Sequence, residues 1–101
     1  MNVKQLARIK KMEDDFNLVS GVVKSLDEAL VNYVAIQRSI KRLTEYQESG
    51  QWLKDFEADE RGELPEYREL RRGVLSEDGL DNLLREIDDV YSRMYALVEE
   101  T

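Results

Sequence analysis

Carboxylates are the only abundant side chains in this sequence able to do chemistry. The 101 residues hold 22 Asp and Glu against 15 Lys and Arg, with no His and no Cys. That composition excludes disulfides, thiolate or imidazole metal sites, Ser-His and Cys-His nucleophile pairs and histidine proton transfer. What remains is oxygen-donor chemistry. Two acidic residues at i, i+3 on a helix turn their oxygens to one face, as a Mg²⁺-dependent hydrolase of phosphorylated small molecules requires. Glu45/Glu48 and Glu86/Asp89 have that spacing. The chain has seven acidic i, i+3 pairs, and composition alone gives about five. The spacing therefore does not distinguish these pairs from solvated helix faces.

A second acidic constellation lies between Asp55 and Glu66. Asp55, Glu57, Asp59, Glu63 and Glu66 match the ligand positions 1, 3, 5, 9 and 12 of an EF-hand loop. Position 6, where Gly lets the loop turn around Ca²⁺, is Glu60; position 8 is Gly62 instead of an apolar residue; Pro65 interrupts the exiting helix. The expectation is no resident metal, with these five carboxylates as the only candidates for loose divalent-cation binding. Trp52, with Leu53 and Phe56 at helical spacing, reads as core before it reads as a stacking platform. Arg71-Arg72 reads as a cap on nearby carbonyls and a partner for the acidic segment. There is no Gly-rich phosphate loop, Gly-x-Ser-x-Gly turn or nucleotide fingerprint. No catalytic or cofactor-binding residue is assigned.

The elements that carry these groups are helices. A single Pro and five Gly are too few for a strand-and-turn sandwich. Ile9, Met12, Phe16, Val19, Val23, Leu26, Leu30 and Tyr33 step by threes and fours, the heptad a/d spacing. Beyond Tyr33 the stripe moves by one place, to Ile36, Ile40 and Leu43. Gly50 supplies a left-handed stop. One helix over about residues 2–48 is expected. The alternative is a three-helix bundle with a break near Gly21, where Ser20-Gly21 ends one helix and Ser25 with Glu28 starts the next. The stripe crosses Gly21 without losing phase, which favours continuity. An interior Gly costs only about 1 kcal/mol relative to Ala.

Residues 50–75 read as a connector with short helices, one around Trp52 and one opened by Pro65 and closed by Gly73, with Tyr67, Leu70 and Val74 facing inward. The last helix spans 76–100, with Ser76 as N-cap and Leu80, Leu83, Ile87, Val90, Met94 and Leu97 at a/d positions. Leu84, Tyr91 and Val98 widen this stripe into a band suited to more than one neighbour. The whole is a single all-α domain, 1–101, in which a long N-terminal helix is followed by the connector and by a C-terminal helix packed back antiparallel. A helix of 47 residues is roughly 70 Å long and one of 25 roughly 37 Å. Half of the long stripe would then lack a partner within the chain, and an apolar stripe of that length marks an interaction site. Ile9, Met12, Phe16, Val19, Val23 and Leu26 are its candidate residues, and a second copy or another helical protein its candidate partner.

Charge narrows the partners. Residues 1–50 hold 8 basic and 7 acidic side chains, whereas residues 51–101 hold 7 basic and 15 acidic, within a net charge of −7. The acidic half repels phosphates and anionic lipid, so neither nucleic acid nor a membrane surface is expected. No run is apolar enough to span a bilayer or to form a signal-peptide core, and a cytoplasmic protein is expected.

Tyr46, Ser49, Trp52, Asp55, Asp59-Glu60, Gly62, Leu64-Pro65 and the block Arg72-Gly73-Val74-Leu75-Ser76-Glu77-Asp78 together resemble a small bacterial family of helical proteins catalogued as a domain of unknown function. The likeness covers about a third of the chain. It departs from the family pattern at Gln47, where a second Tyr often follows Tyr46, and in a longer stretch between Pro65 and Arg72. The resemblance implies a bacterial cytoplasmic helical protein and no particular activity. The functional expectation is a structural or protein–protein interaction module that self-associates, with a divalent-cation-dependent hydrolase using Glu45, Glu48, Glu86 and Asp89 as the alternative.

Overall fold

The computed structural model describes residues 2–101, so Met1 of the expected 1–101 domain lies outside the described residues. The described residues form four α-helices and no strand. They fall into two compact units, Met1–Gln37 and Arg38–Thr101.

The first unit is the helix α1, Val3–Ala35. Asn2 caps it. Its backbone is extended, at φ −90° and ψ 167°, and its Oδ1 accepts a hydrogen bond from the Gln5 amide at 2.7 Å. That bond satisfies one of the N–H groups a helix start leaves unpaired. The helix runs unbroken through Gly21, as the phase of the stripe predicts, and the alternative break there does not occur. The expected 2–48 span is instead interrupted once, at Ile36, whose φ of −95° and ψ of 3° lie in the bridge region. The Ile36 amide still bonds to Asn32 O. The Gln37 side-chain amide donates to Tyr33 O at 2.9 Å, the acceptor that a continuous helix reserves for the Gln37 backbone. The interruption falls where the apolar stripe changes phase.

The second unit contains α2 (Gln37–Glu48) from its second residue on, α3 (Gln51–Glu60) and α4 (Gly79–Glu100). Gly50, at φ 85°, turns the chain between α2 and α3. The end of α3 is a Schellman cap: Gly62 N bonds to Asp59 O at 2.9 Å and Glu63 N to Ala58 O at 3.0 Å. That pattern needs a left-handed residue, and Gly62 supplies it at φ 74° without a Cβ clash.

No helix forms between Arg61 and Asp78, so the short helix expected after Pro65 is absent. Glu66 O accepts from both Glu69 N and Leu70 N, which makes a single turn that does not propagate. Arg72 folds back onto the Leu70 and Pro65 carbonyls and holds this segment as an irregular strap. Tyr67, expected to face inward, is 70% exposed, and Leu70 and Val74 are also exposed. Leu75 is buried in their place, at 7% exposure.

The C-terminal helix starts three residues later than expected. The Ser76 hydroxyl donates to Gly73 O instead of capping, and Asp78 occupies the N-cap position without a side-chain bond. Gly79 opens α4 where the chain passes over the Gly73 carbonyl. From there α4 packs antiparallel on α2. Gln47 donates weakly to Asp81 at 3.4 Å, Leu43 lies beside Leu80 and Leu83, and Ile40 lies beside Leu84 and Ile87. Leu80, 3% exposed, is the centre of this small core.

Candidate functional site

The stripe Ile9, Met12, Phe16, Val19, Val23 and Leu26 lies on α1, and each of these side chains is 48–67% exposed. Leu30, one helical step on, is exposed as well. The 33-residue helix is about 50 Å long, and its apolar positions recur along that length. Basic residues Lys4, Arg8, Lys10 and Lys11 occupy its first quarter, and Glu13, Asp14 and Asp15 follow. Lys11 pairs with Asp15 at 3.1 Å, a solvent-exposed contact of small energetic value.

A second apolar surface occupies the distal half of α4. Val90, Tyr91, Met94, Tyr95, Leu97 and Val98 are exposed, and the rings of Tyr91 and Tyr95 stack at 6.5 Å. The sequence marks all of these but Tyr95 as a band, and its length relative to α2 becomes visible only in the structure. Twelve residues in α2 span about 18 Å and twenty-two in α4 about 33 Å. Within the second unit, the band on α4 outlasts the helix it packs on.

The acidic candidates are dispersed. Asp55, Glu57 and Asp59 are helical residues of α3, whereas Glu63 and Glu66 lie beyond its cap. Asp55 accepts from the Tyr46 hydroxyl at 2.5 Å and from the Gln51 side chain at 2.8 Å. These bonds, that from Tyr46 foremost, hold its pKa below the ordinary carboxylate value. Burial and the facing Asp55 carboxylate push the Tyr46 phenol up to about 12. Asp59 pairs with Arg72 at 3.0 Å, both side chains being largely covered. Glu63 makes a two-pronged contact with Arg61 at 3.0 and 3.1 Å, which lowers its pKa and raises that of the guanidinium. Among the described residues, no group of three or more carboxylates is placed to share a metal ion. Glu45, Glu48, Glu86 and Asp89 lie on α2 and α4 without forming such a group, and Asp89 pairs with Arg93 at 3.1 Å.

Trp52 and Phe56, expected as core with Leu53, are only half-buried, and Leu53 is exposed. The Trp52 ring stacks on Phe56 at 5.1 Å, and its Nε1–H donates to Val74 O at 2.8 Å, tying the strap to α3. Arg72 acts as expected of a carbonyl cap and acidic-segment partner. A shallow depression of about 440 Å³ is lined by Ser39, Arg42, Leu43 and Tyr46. Its polar groups are Arg42 and two hydroxyls, and the Tyr46 phenol is already committed to Asp55.

No helix among the described residues is long and apolar enough to cross a membrane. No curated protein and no solved structure matches the chain. Residues 9–97 match the family described as Domain of unknown function (DUF4298), and the span includes both the helical flanks and the Arg-Gly-Val-Leu-Ser-Glu-Asp block. The chain belongs to this DUF4298 family.

Proposed function

We propose that the protein is a structural or protein–protein interaction module, a single helical domain that self-associates as a homodimer through α1. The supporting observation is the run of apolar side chains from Ile9 to Leu26, each about half exposed or more, along a helix about 50 Å long. A contiguous apolar stripe of that extent exceeds what a monomer ordinarily leaves in water. A second copy is the simplest cover, because one surface then serves both partners across a two-fold axis. Helices with a/d stripes bury them as coiled coils. The acidic second half disfavours phosphate-bearing partners, so the partner in this reading is protein. A bacterial cytoplasmic setting accompanies the reading and rests on the family resemblance.

Sedimentation equilibrium at tens of micromolar tests it, since association depends on concentration. A dimer is expected for the unchanged chain. Phe16→Glu and Val23→Glu should each shift the mass to that of a monomer and leave the Trp52 fluorescence of the second unit unchanged. A monomeric unchanged chain at that concentration refutes the proposal.

A further inference from the structure

On the reading that α1 is the self-association surface, we infer that two copies of α1 pair parallel and in register, with Arg8 of each facing the partner's Glu13. The heptad frame fixes the geometry. Ile9, Phe16 and Val23 are a positions, and Met12, Val19 and Leu26 are d positions. Arg8 is then a g position and Glu13 the e position of the next heptad. In a parallel pair each g residue meets the partner's following e residue, and these contacts set orientation. The pair is therefore Arg8 with the partner's Glu13, made twice by symmetry. The three further contacts of this kind within α1 are Asp15 with the partner's Ser20, Val22 with the partner's Asp27 and Ala29 with the partner's Val34, so Arg8–Glu13 is the one that pairs opposite charges and none of the four sets like charges together.

Both members of the charged pair are available. Lys11 takes Asp15, whereas among the described residues Arg8 and Glu13 form no ion pair. The antiparallel arrangement is worse on the same frame. Its fullest overlap stacks Ile9 on the partner's Tyr33, Phe16 on Leu26 and Val19 on Val23. That register sets Glu13 beside the partner's Asp27, also twice, and like charges facing each other are unfavourable. Sliding by one heptad separates the carboxylates but leaves two of the eight a/d residues from Ile9 to Tyr33 without an apolar partner in α1.

Disulfide trapping decides the orientation, and the chain has no Cys of its own to confuse it. In the parallel pair, two copies of Ile9→Cys share one layer, within reach of a disulfide. They should cross-link to a covalent dimer under mild oxidation. Antiparallel, position 9 faces position 33, and the two thiols introduced by Ile9→Cys lie about 36 Å apart along the axis. A mixture of Ile9→Cys with Tyr33→Cys would then cross-link between variants instead. Sedimentation of the reduced, unsubstituted chain is run beside both. A monomer there overturns the self-association reading itself. A dimer whose only cross-link joins position 9 to position 33, or that gives none, overturns the parallel pairing and leaves self-association standing. Charge exchange supplies a second readout. Arg8→Glu should weaken association roughly fivefold for the two pairs, and adding Glu13→Arg should restore it; failure of the double variant to recover also overturns the pairing.

Discussion

Truncating Leu80 to Ala probes the core of the second unit at its centre. Leu80 is 3% exposed and stands against Leu43 and Leu83, where α4 meets α2. Removing a buried Leu side chain down to its Cβ costs about 2–5 kcal/mol, depending on how far the site collapses or fills with water. Here a groove of about 160 Å³ adjoins the residue and opens past Val74. Water can enter the space left behind, so the lower part of that range applies, about 2–3 kcal/mol. A unit the size of Arg38–Thr101 has a stability of roughly 3–10 kcal/mol, so the loss is a large fraction of the total. The assay is urea unfolding at one fixed protein concentration, followed by Trp52 fluorescence, because Trp52 is the chain's only Trp and reports on the α3–strap contact. Leu53→Ala is the comparison; Leu53 is 52% exposed, and its truncation should cost under about 1 kcal/mol. Equal midpoints for the two variants, or a Leu80→Ala change below about 0.5 kcal/mol, would refute the assignment of this core.

Three further outcomes are expected. Gly79→Ala should destabilise by about 1–3 kcal/mol despite the better helix propensity of Ala, because its Cβ would lie 2.9 Å from the Gly73 carbonyl, a backbone atom that cannot rotate away; a higher urea midpoint would contradict the close approach. In an ultraviolet pH titration one of the five tyrosines should ionise near 12, and Tyr46→Phe should remove that step. Because the folded pKa of Tyr46 is raised, its contribution to stability is complete below about pH 10 and is lost as pH rises towards about 12. The contribution of Asp55 has the opposite sense: it is present above the ordinary carboxylate range and is lost as acid takes the pH down through its lowered pKa. Finally, Arg72→Lys should loosen the strap almost as much as Arg72→Ala, by about 1–2 kcal/mol, since one ammonium cannot reach Asp59 and the Leu70 and Pro65 carbonyls together. Limited proteolysis between Gly62 and Asp78 reads this, and retained resistance in the Lys variant would show that a single contact suffices.

The helical parts of this fold are legible in the sequence because their signal is periodic. The heptad run from Ile9 to Tyr33 predicts an unbroken α1, and the run from Leu80 to Leu97 predicts α4. Even the interruption at Ile36 has a trace in the sequence, the one-place shift of the stripe after Tyr33, although it reads equally well as the drift of a straight helix against a seven-residue repeat. The strap departs from its sequence signals for a physical reason. Pro65 at a first helical position and Gly73 past an end are valid helix signals, but a segment that short cannot hold its turns without buried contacts. Arg72 takes two of its carbonyls away. Ser76 fails as a cap because its hydroxyl finds the Gly73 carbonyl first. The acidic candidates illustrate a related gap. Residues that share a ligand pattern in sequence are separated once Asp55, Glu57 and Asp59 become helical and Gly62 closes that helix.

Burial divides the chain more sharply than composition does. Both buried side chains among the described residues, Leu75 and Leu80, belong to the second unit, where α2, α3, the strap and the first half of α4 cover one another. Among its described residues the first unit buries no apolar side chain, and yet it carries the longest apolar stripe in the sequence. An isolated helix in water gains little from propensity, and most helical stability comes from packing an amphipathic face. A helix with two heptad sets of Ile, Phe, Val and Leu is therefore built to be packed. Its ten charged side chains all avoid the a and d positions of the stripe, and four of them, Arg8, Glu13, Asp15 and Asp27, stand at the flanking g and e positions. Flanking charges are the means by which one coiled-coil helix selects the orientation of another, so under the proposed self-association Arg8 and Glu13, beside an uncharged a/d stripe, are the pair that would set it.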